Sequence, residues 1–106
     1  MDRARYIIKL FEEQSLAVTA WGMTHIRPLP KNEGLMFRAY GNRFRGLIKV
    51  RYDSSDIYNV VFRPSEKGEV VEKRGVKESE LVDVISEAVG QSPMLLEFYI
   101  DMYLIK

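Results

Sequence analysis

The feature that most constrains the fold is a series of short, strand-like segments between Leu35 and Arg74, each separated from the next by a tight turn. The segments alternate apolar with polar residues, as expected of strands that bury one face. The turns are rich in Gly, Asn, Asp and Ser, which favour chain reversal. Short connections join neighbouring antiparallel strands, so the pattern predicts a four-stranded meander. The predicted strands are Leu35–Tyr40, Phe44–Tyr52, Ile57–Arg63 and Glu69–Arg74, with turns at Gly41–Arg43, Asp53–Asp56 and Ser65–Gly68.

The segment before the meander predicts a helix followed by one more strand. Asp2 is placed to accept hydrogen bonds from the first helical turn. The helix is expected to end near Ser15–Ala17, because β-branched and aromatic residues over Val18–Arg27 favour a strand. Pro28 stops this strand, since proline cannot donate to a sheet. The apolar residues at helical spacing are Ala4, Ile7, Ile8 and Phe11.

A second helix is predicted over Glu80–Val89, after the meander. Ser79 is the expected N-cap, and Gly90 stands where a helix commonly ends in a left-handed residue. The apolar stripe of this helix consists of Leu81, Val84, Ile85 and Ala88. We therefore expect an α+β fold in one domain spanning residues 1–106, with helices packed on one face of an antiparallel meander of four to five strands.

Residues 93–105 carry two conflicting patterns. Ser92 and Pro93 form a helix-capping signal, which favours a helix, whereas apolar residues alternate with polar ones as in a half-buried strand. As a helix, the segment would be apolar on nearly every side, so it must lie in a groove of the core or against a second copy of the protein. The residues predicted to form an oligomer contact are Leu95, Phe98, Tyr99 and Met102.

Charge is unevenly distributed along a chain whose net charge is only +1. Residues 38–77 contain ten Lys or Arg against five Asp or Glu, whereas residues 78–106 contain six acids and one lysine. On the predicted meander, the basic residues share the parity opposite to the apolar ones, which predicts a basic outer sheet face. The residues predicted to bind nucleic acid there are Arg38, Tyr40, Arg45, Lys49, Arg51 and Arg63.

The sequence contains few residues that are candidates for catalysis. His25 is the only histidine, and no Gly-x-Ser-x-Gly sequence is present to position a nucleophile. Asp53 and Asp56 flank a Ser-Ser turn, where carboxylates ordinarily bond the local backbone. We predict no metal, cofactor or small-molecule ligand, and an enzyme using His25 with Asp53 or Asp56 is the least favoured hypothesis.

The composition favours a soluble protein of the cytoplasm. The chain contains no cysteine, which excludes disulfides and thiolate chemistry, and it lacks an apolar run long enough for a membrane-spanning helix. The leading functional hypothesis is a small non-catalytic protein-interaction domain that forms a homodimer through its last segment. The alternative is nucleic-acid binding through the outer sheet face.

Overall fold

The computed structural model describes residues 1–92 and has an α+β fold. A five-stranded antiparallel sheet runs in the order β1-β2-β3-β4-β5, so that β1 and β5 are its edges. The elements are α1 (Arg3–Glu12), α2 (Ser15–Thr19), β1 (Thr24–Pro28), β2 (Gly34–Tyr40), β3 (Arg45–Ser54), β4 (Ile57–Pro64), β5 (Val71–Lys77) and α3 (Leu81–Val89). Single turns of 3-10 helix at Pro30–Asn32 and Glu78–Glu80 precede β2 and α3. The predicted fold class is confirmed.

The core lies between one face of the sheet, the inner face, and the helices. Phe37 of β2 stands opposite Ile48 of β3, which stands opposite Phe62 of β4, and all three are buried. The rings of Trp21 and Phe37 are stacked, and the edge of Phe11 from α1 packs against both. This aromatic cluster fixes α1 on the inner face.

The first predicted strand is correct only in its second half. Val18 belongs to α2, and Trp21 lies in the turn before β1, which begins at Thr24. Both side chains are buried, and the indole Nε1 of Trp21 donates to Ser86 Oγ on α3 at 2.9 Å. Packing against the core therefore overrides the β propensity of residues 18–21.

The chain reverses at the predicted turns, and the residues at two of them have different structural roles. A side chain at Gly41 would collide with the carbonyl oxygen of Val89, so this glycine allows the β2–β3 loop to approach the end of α3. Positive φ angles occur instead at Ser55 and Asp56, in the two-residue turn between β3 and β4. Their φ values of 43° and 66° match the left-handed region that such tight hairpins require.

The predictions at the far end of the chain are partly confirmed. The last strand is Val71–Lys77 rather than Glu69–Arg74, because a bulge opposite Tyr58–Val60 extends the pairing with β4. Ser79 does not cap α3, since it lies within the 3-10 turn and the helix begins without a side-chain cap. Gly90 ends α3 as predicted, but with φ 74° and ψ −140° it does not adopt the left-handed helical conformation.

Asp2 caps α1 as predicted, because its carboxylate accepts a hydrogen bond from the backbone N–H of Arg5 at 3.2 Å. Among residues 1–92, no helix is long and apolar enough to cross a membrane.

Candidate functional site

The sheet surface turned away from the helices, here called the outer face, carries a row of residues set by the strand register. Arg38 of β2, Leu47 of β3 and Arg63 of β4 lie side by side. Both arginines are exposed, whereas Leu47 is half-buried between them. Their aliphatic stems are long enough to flank the leucine while the guanidinium groups reach water.

A second row supplies the apolar centre of the outer face. Met36 pairs with Lys49, which pairs with Val61, and all three side chains are half-buried. Met36, Leu47 and Val61 therefore form an apolar centre within a ring of basic residues. The basic residues that the register or parity assigns to the outer face are Arg27, Arg38, Arg45, Lys49, Arg51, Arg63, Arg74 and Lys77.

Two acidic residues at the margin of the outer face form salt bridges with arginine side chains. Glu33 lies 3.8 Å from Arg51, and Glu72 lies 3.0 Å from Arg74. Among residues 1–92, neither Arg38 nor Arg63 forms a salt bridge. Since the whole chain has a net charge of +1, a strongly basic outer face leaves the rest of the protein net acidic.

Tyr40 occupies one corner of the outer face. It pairs with Arg45, whose guanidinium carbon lies 4.2 Å from the centre of the tyrosine ring. This cation–π contact covers one side of the ring. Tyr40 is 45% exposed, so the other parts of the ring remain accessible.

The structure brings all six residues predicted for nucleic-acid binding onto the same face: Arg38, Tyr40, Arg45, Lys49, Arg51 and Arg63. Their role stays a prediction. The sequence analysis missed Met36, which its parity with Arg38 assigns to the same face. It also missed Arg27, because the irregular pairing between Thr24 and Arg27 breaks the alternation that would have revealed it.

A second surface is an apolar groove of about 730 Å³, bounded by α1, α2, β1 and the end of β2. Phe11 and Val18 are the buried apolar residues of its wall, whereas Ile26 and Tyr40 are each nearly half exposed. Tyr40 therefore lies where the groove meets the outer face. The remaining lining is Ile8, Glu12, Ser15, Thr19, Gly22, Met23, Thr24 and Ser92.

A polar cluster on the inner side connects α1 to β4 and to the turn before α3. Arg3 donates to the hydroxyl of Tyr58 at 3.1 Å, and that hydroxyl donates to Glu78 at 3.3 Å. The Arg3 guanidinium also lies over the ring of Tyr52, with its carbon 3.7 Å from the ring centre. Burial raises the pKa of Tyr58 to about 12, because the interior disfavours a phenolate. These contacts join elements of the core, and we assign them a stabilising role.

The residues considered for catalysis are not brought together. His25 is exposed on β1, with its Nδ1 3.1 Å from the hydroxyl of Thr24. Asp53 and Asp56 are exposed at the β3–β4 hairpin, and neither they nor His25 lines the groove. Within residues 1–92, no three His, Asp or Glu side chains are grouped as a metal site would require.

The predicted oligomer contact, Leu95, Phe98, Tyr99 and Met102, lies outside the described residues. Comparison of the chain with protein-family models, with curated proteins and with solved structures gave no significant match. Function must therefore be argued from the two surfaces.

Proposed function

We propose that this chain is a small non-catalytic protein-interaction domain whose outer face binds the partner. The observation that carries the proposal is the half-buried apolar centre of Met36, Leu47 and Val61 within a ring of arginines and Lys49. Protein interfaces commonly combine a desolvated centre with a polar rim, and Met and Arg are enriched in them.

The size of the outer face is adequate for such an interface. Five strands about 4.8 Å apart, each about 25 Å long, give a surface on the order of 500–600 Å² before side chains are counted. A standard interface buries about 800 Å² on each partner. Side chains that project from the sheet bring the outer face close to that area.

Charge complementarity defines the chemistry of the partner. Glu33 and Glu72 are engaged with Arg51 and Arg74, which leaves Arg38 and Arg63 free of salt bridges within residues 1–92. A partner with an apolar centre and an acidic rim would cover Leu47 and place carboxylates against these two arginines. Like charges would disfavour a basic partner at the same position.

The proposal is tested by capturing a partner from the cells that make the protein and then purifying it. The test variant is Arg38→Glu/Arg63→Glu, which reverses both charges beside Leu47. Its control is Arg5→Glu/Lys9→Glu, which makes the same charge change at exposed positions of α1. We expect the purified partner to bind wild type and control alike, and the test variant at least ~10-fold more weakly, a loss of about 1.4 kcal/mol.

The result that contradicts the proposal is equal affinity of the purified partner for the wild type and for Arg38→Glu/Arg63→Glu. Retention that disappears on nuclease treatment also contradicts it, because the ligand would then be a nucleic acid. Self-association through residues 93–105 stays a prediction, as does a cytoplasmic location, which we propose because a chain without cysteine gains nothing from an oxidising compartment.

Nucleic-acid binding by the same outer face is the second candidate. Its supporting observation is that basic side chains continue across β2, β3 and β4, with the partly exposed ring of Tyr40 at the edge. Such a surface can neutralise phosphates while an aromatic ring stacks on a base. It ranks second because, within residues 1–92, Tyr40 is the only aromatic residue assigned to this face, and Arg45 already covers one side of its ring.

A direct measurement tests this candidate. Fluorescence anisotropy with labelled single-stranded and duplex oligonucleotides should show binding at low salt that weakens steeply as salt rises. Arg45→Glu/Lys49→Glu should reduce that binding, and Arg5→Glu/Lys9→Glu should not. Absence of binding to every oligonucleotide at low salt eliminates the candidate.

A further inference from the structure

We propose that the apolar groove is the docking site of residues 93–106 of the same chain. The inference concerns a different surface from the outer face and does not depend on the proposed function. Three observations carry it: the position at which the described chain ends, the chemistry of the groove, and the length of the remaining segment.

The chain is held at the entrance of the groove by hydrogen bonds around Gln91 and Ser92. The backbone N–H of Asn42 donates to the carbonyl of Gln91 at 2.7 Å, and the backbone N–H of Gln91 donates to the side-chain oxygen of Asn42 at 2.9 Å. The backbone N–H of Ser92 then donates to the carbonyl of Ala20 at 2.6 Å. Ser92 is itself part of the groove lining, so the described part of the chain ends at the groove.

The groove and the segment have matching surfaces. The groove offers the partly or largely exposed side chains of Ile8, Met23 and Ile26, whose apolar surface gains from being covered. Most of the 14 residues that follow Ser92 are apolar or aromatic, with only two acids and one lysine among them. Burial of this segment against the groove removes two apolar surfaces from water at once.

The length of the segment suits either of its two sequence patterns. As a helix, 14 residues extend about 21 Å, and as a strand about 46 Å. The described protein measures 48 × 33 × 22 Å, so either length is comparable with the dimensions of the molecule. In the extended case the segment could pair with β1, which lines the groove and is an edge strand of the sheet formed by residues 1–92.

Attachment to the chain favours residues 93–106 of the same molecule over those of a second copy. A short tether gives an effective concentration in the millimolar range. At a protein concentration of about 1 μM, the second copy is therefore disadvantaged by roughly 1000-fold for an identical contact. Domain exchange would have to supply additional contacts to overcome this difference.

The proposal can be tested by disulfide trapping. Because the chain contains no cysteine, every disulfide that forms must join the introduced cysteines. Ile26→Cys, at the groove, is combined in turn with Leu95→Cys, Phe98→Cys or Met102→Cys in the full-length chain. The matched control replaces Ile26→Cys with Val70→Cys, which is similarly exposed but precedes β5 at the opposite edge of the sheet. The three partner positions together sample both a helical and a strand-like arrangement.

At about 1 μM protein under mild oxidation, we expect at least one Ile26→Cys pair to close within the chain, ~100-fold faster than its Val70→Cys control. Non-reducing electrophoresis should show a monomer without free thiols. A disulfide-linked dimer as the main product overturns the proposal, because the occupant would then be a second copy. Equal closure rates with Ile26→Cys and Val70→Cys, or closure with neither, overturn it as well.

Hydrogen exchange followed by mass spectrometry provides a second measurement that does not depend on the cysteine positions. In the wild type, amides of residues 94–106 should exchange at least ~10-fold more slowly than in Ile26→Glu, which places a charge at the groove. Exchange in β3 and β4 should be unchanged, which shows that the variant is folded. Equal exchange of residues 94–106 in the wild type and Ile26→Glu contradicts docking in the groove.

Discussion

The two faces of the sheet are built from the same strands, but their side chains differ in burial. Ile48 and Leu47 are neighbours in β3, yet Ile48 is completely buried under the helices and Leu47 is half-buried between Arg38 and Arg63. Successive side chains of a strand point to opposite faces, so one residue step separates the core from the outer face. The inner face therefore contributes most of the buried core, and we propose that the outer face serves binding.

The difference between the inner and outer faces predicts its largest effect on the free energy of unfolding for two alanine substitutions at neighbouring positions of β3. Ile48→Ala removes packing from the closed core and should lower the free energy of unfolding by about 2–5 kcal/mol. Leu47→Ala should lower it by about 1 kcal/mol or less, because solvent already reaches the outer face. Urea denaturation of both variants measures the difference. Equal losses for the two variants would show that the outer face is as tightly packed as the inner one.

The next largest effect is a dependence of the free energy of unfolding on pH, which arises from Tyr58 on the inner face. The pKa of Tyr58 is raised from 10.0 to about 12 in the folded protein. The folded state therefore keeps this proton at pH values where the unfolded chain loses it, so the contribution to stability is complete below pH 10 and disappears as the pH rises towards 12. The loss amounts to about 2–3 kcal/mol.

Tyr58→Phe isolates this contribution from the titration of the lysines. The variant should be less stable than the wild type at pH 8, because its contacts with Arg3 and Glu78 are lost. The difference should narrow steadily between pH 10 and pH 12 in urea denaturation experiments. A constant difference over this range would mean that Tyr58 does not titrate late in the folded state.

The smallest effect is expected at the corner of the outer face. Arg45→Gln removes the cation–π contact with Tyr40, which is exposed and contributes about 0.5–1 kcal/mol at most. Thermal unfolding should therefore shift by only a few degrees. A loss above ~2 kcal/mol would assign Arg45 to the support of the fold.

The sequence predicted the part of the fold in which local pattern and tertiary structure agree. Alternation along β2, β3 and β4 assigned Phe37, Ile48 and Val60 to the core and Arg38 and Arg63 to the other side, as observed. The positions of Asp2 and Gly90 at helix ends could also be predicted, because each forms a hydrogen bond with a backbone group of the helix that it begins or ends.

The sequence-based prediction was wrong where contacts between distant parts of the chain determine the local structure. Val18 and Trp21 have β propensity, but contacts with α3 and β2 hold them in a helix and a turn. The groove could not be predicted either, because α1, α2, β1 and Tyr40 come together only in the folded protein. Alternation along β2 would have been enough to assign Met36 to the outer face, but its position in one row with Val61, 25 positions away in the chain, required the register.

The central claim is that the outer face contributes nothing essential to the fold and is reserved for binding. The most direct test is the free energy of unfolding of Arg38→Glu/Arg63→Glu, measured by urea denaturation beside the wild type. The account predicts equality within about 0.5–1 kcal/mol. A loss of 3 kcal/mol or more would contradict it, because the two arginines would then be holding the sheet together.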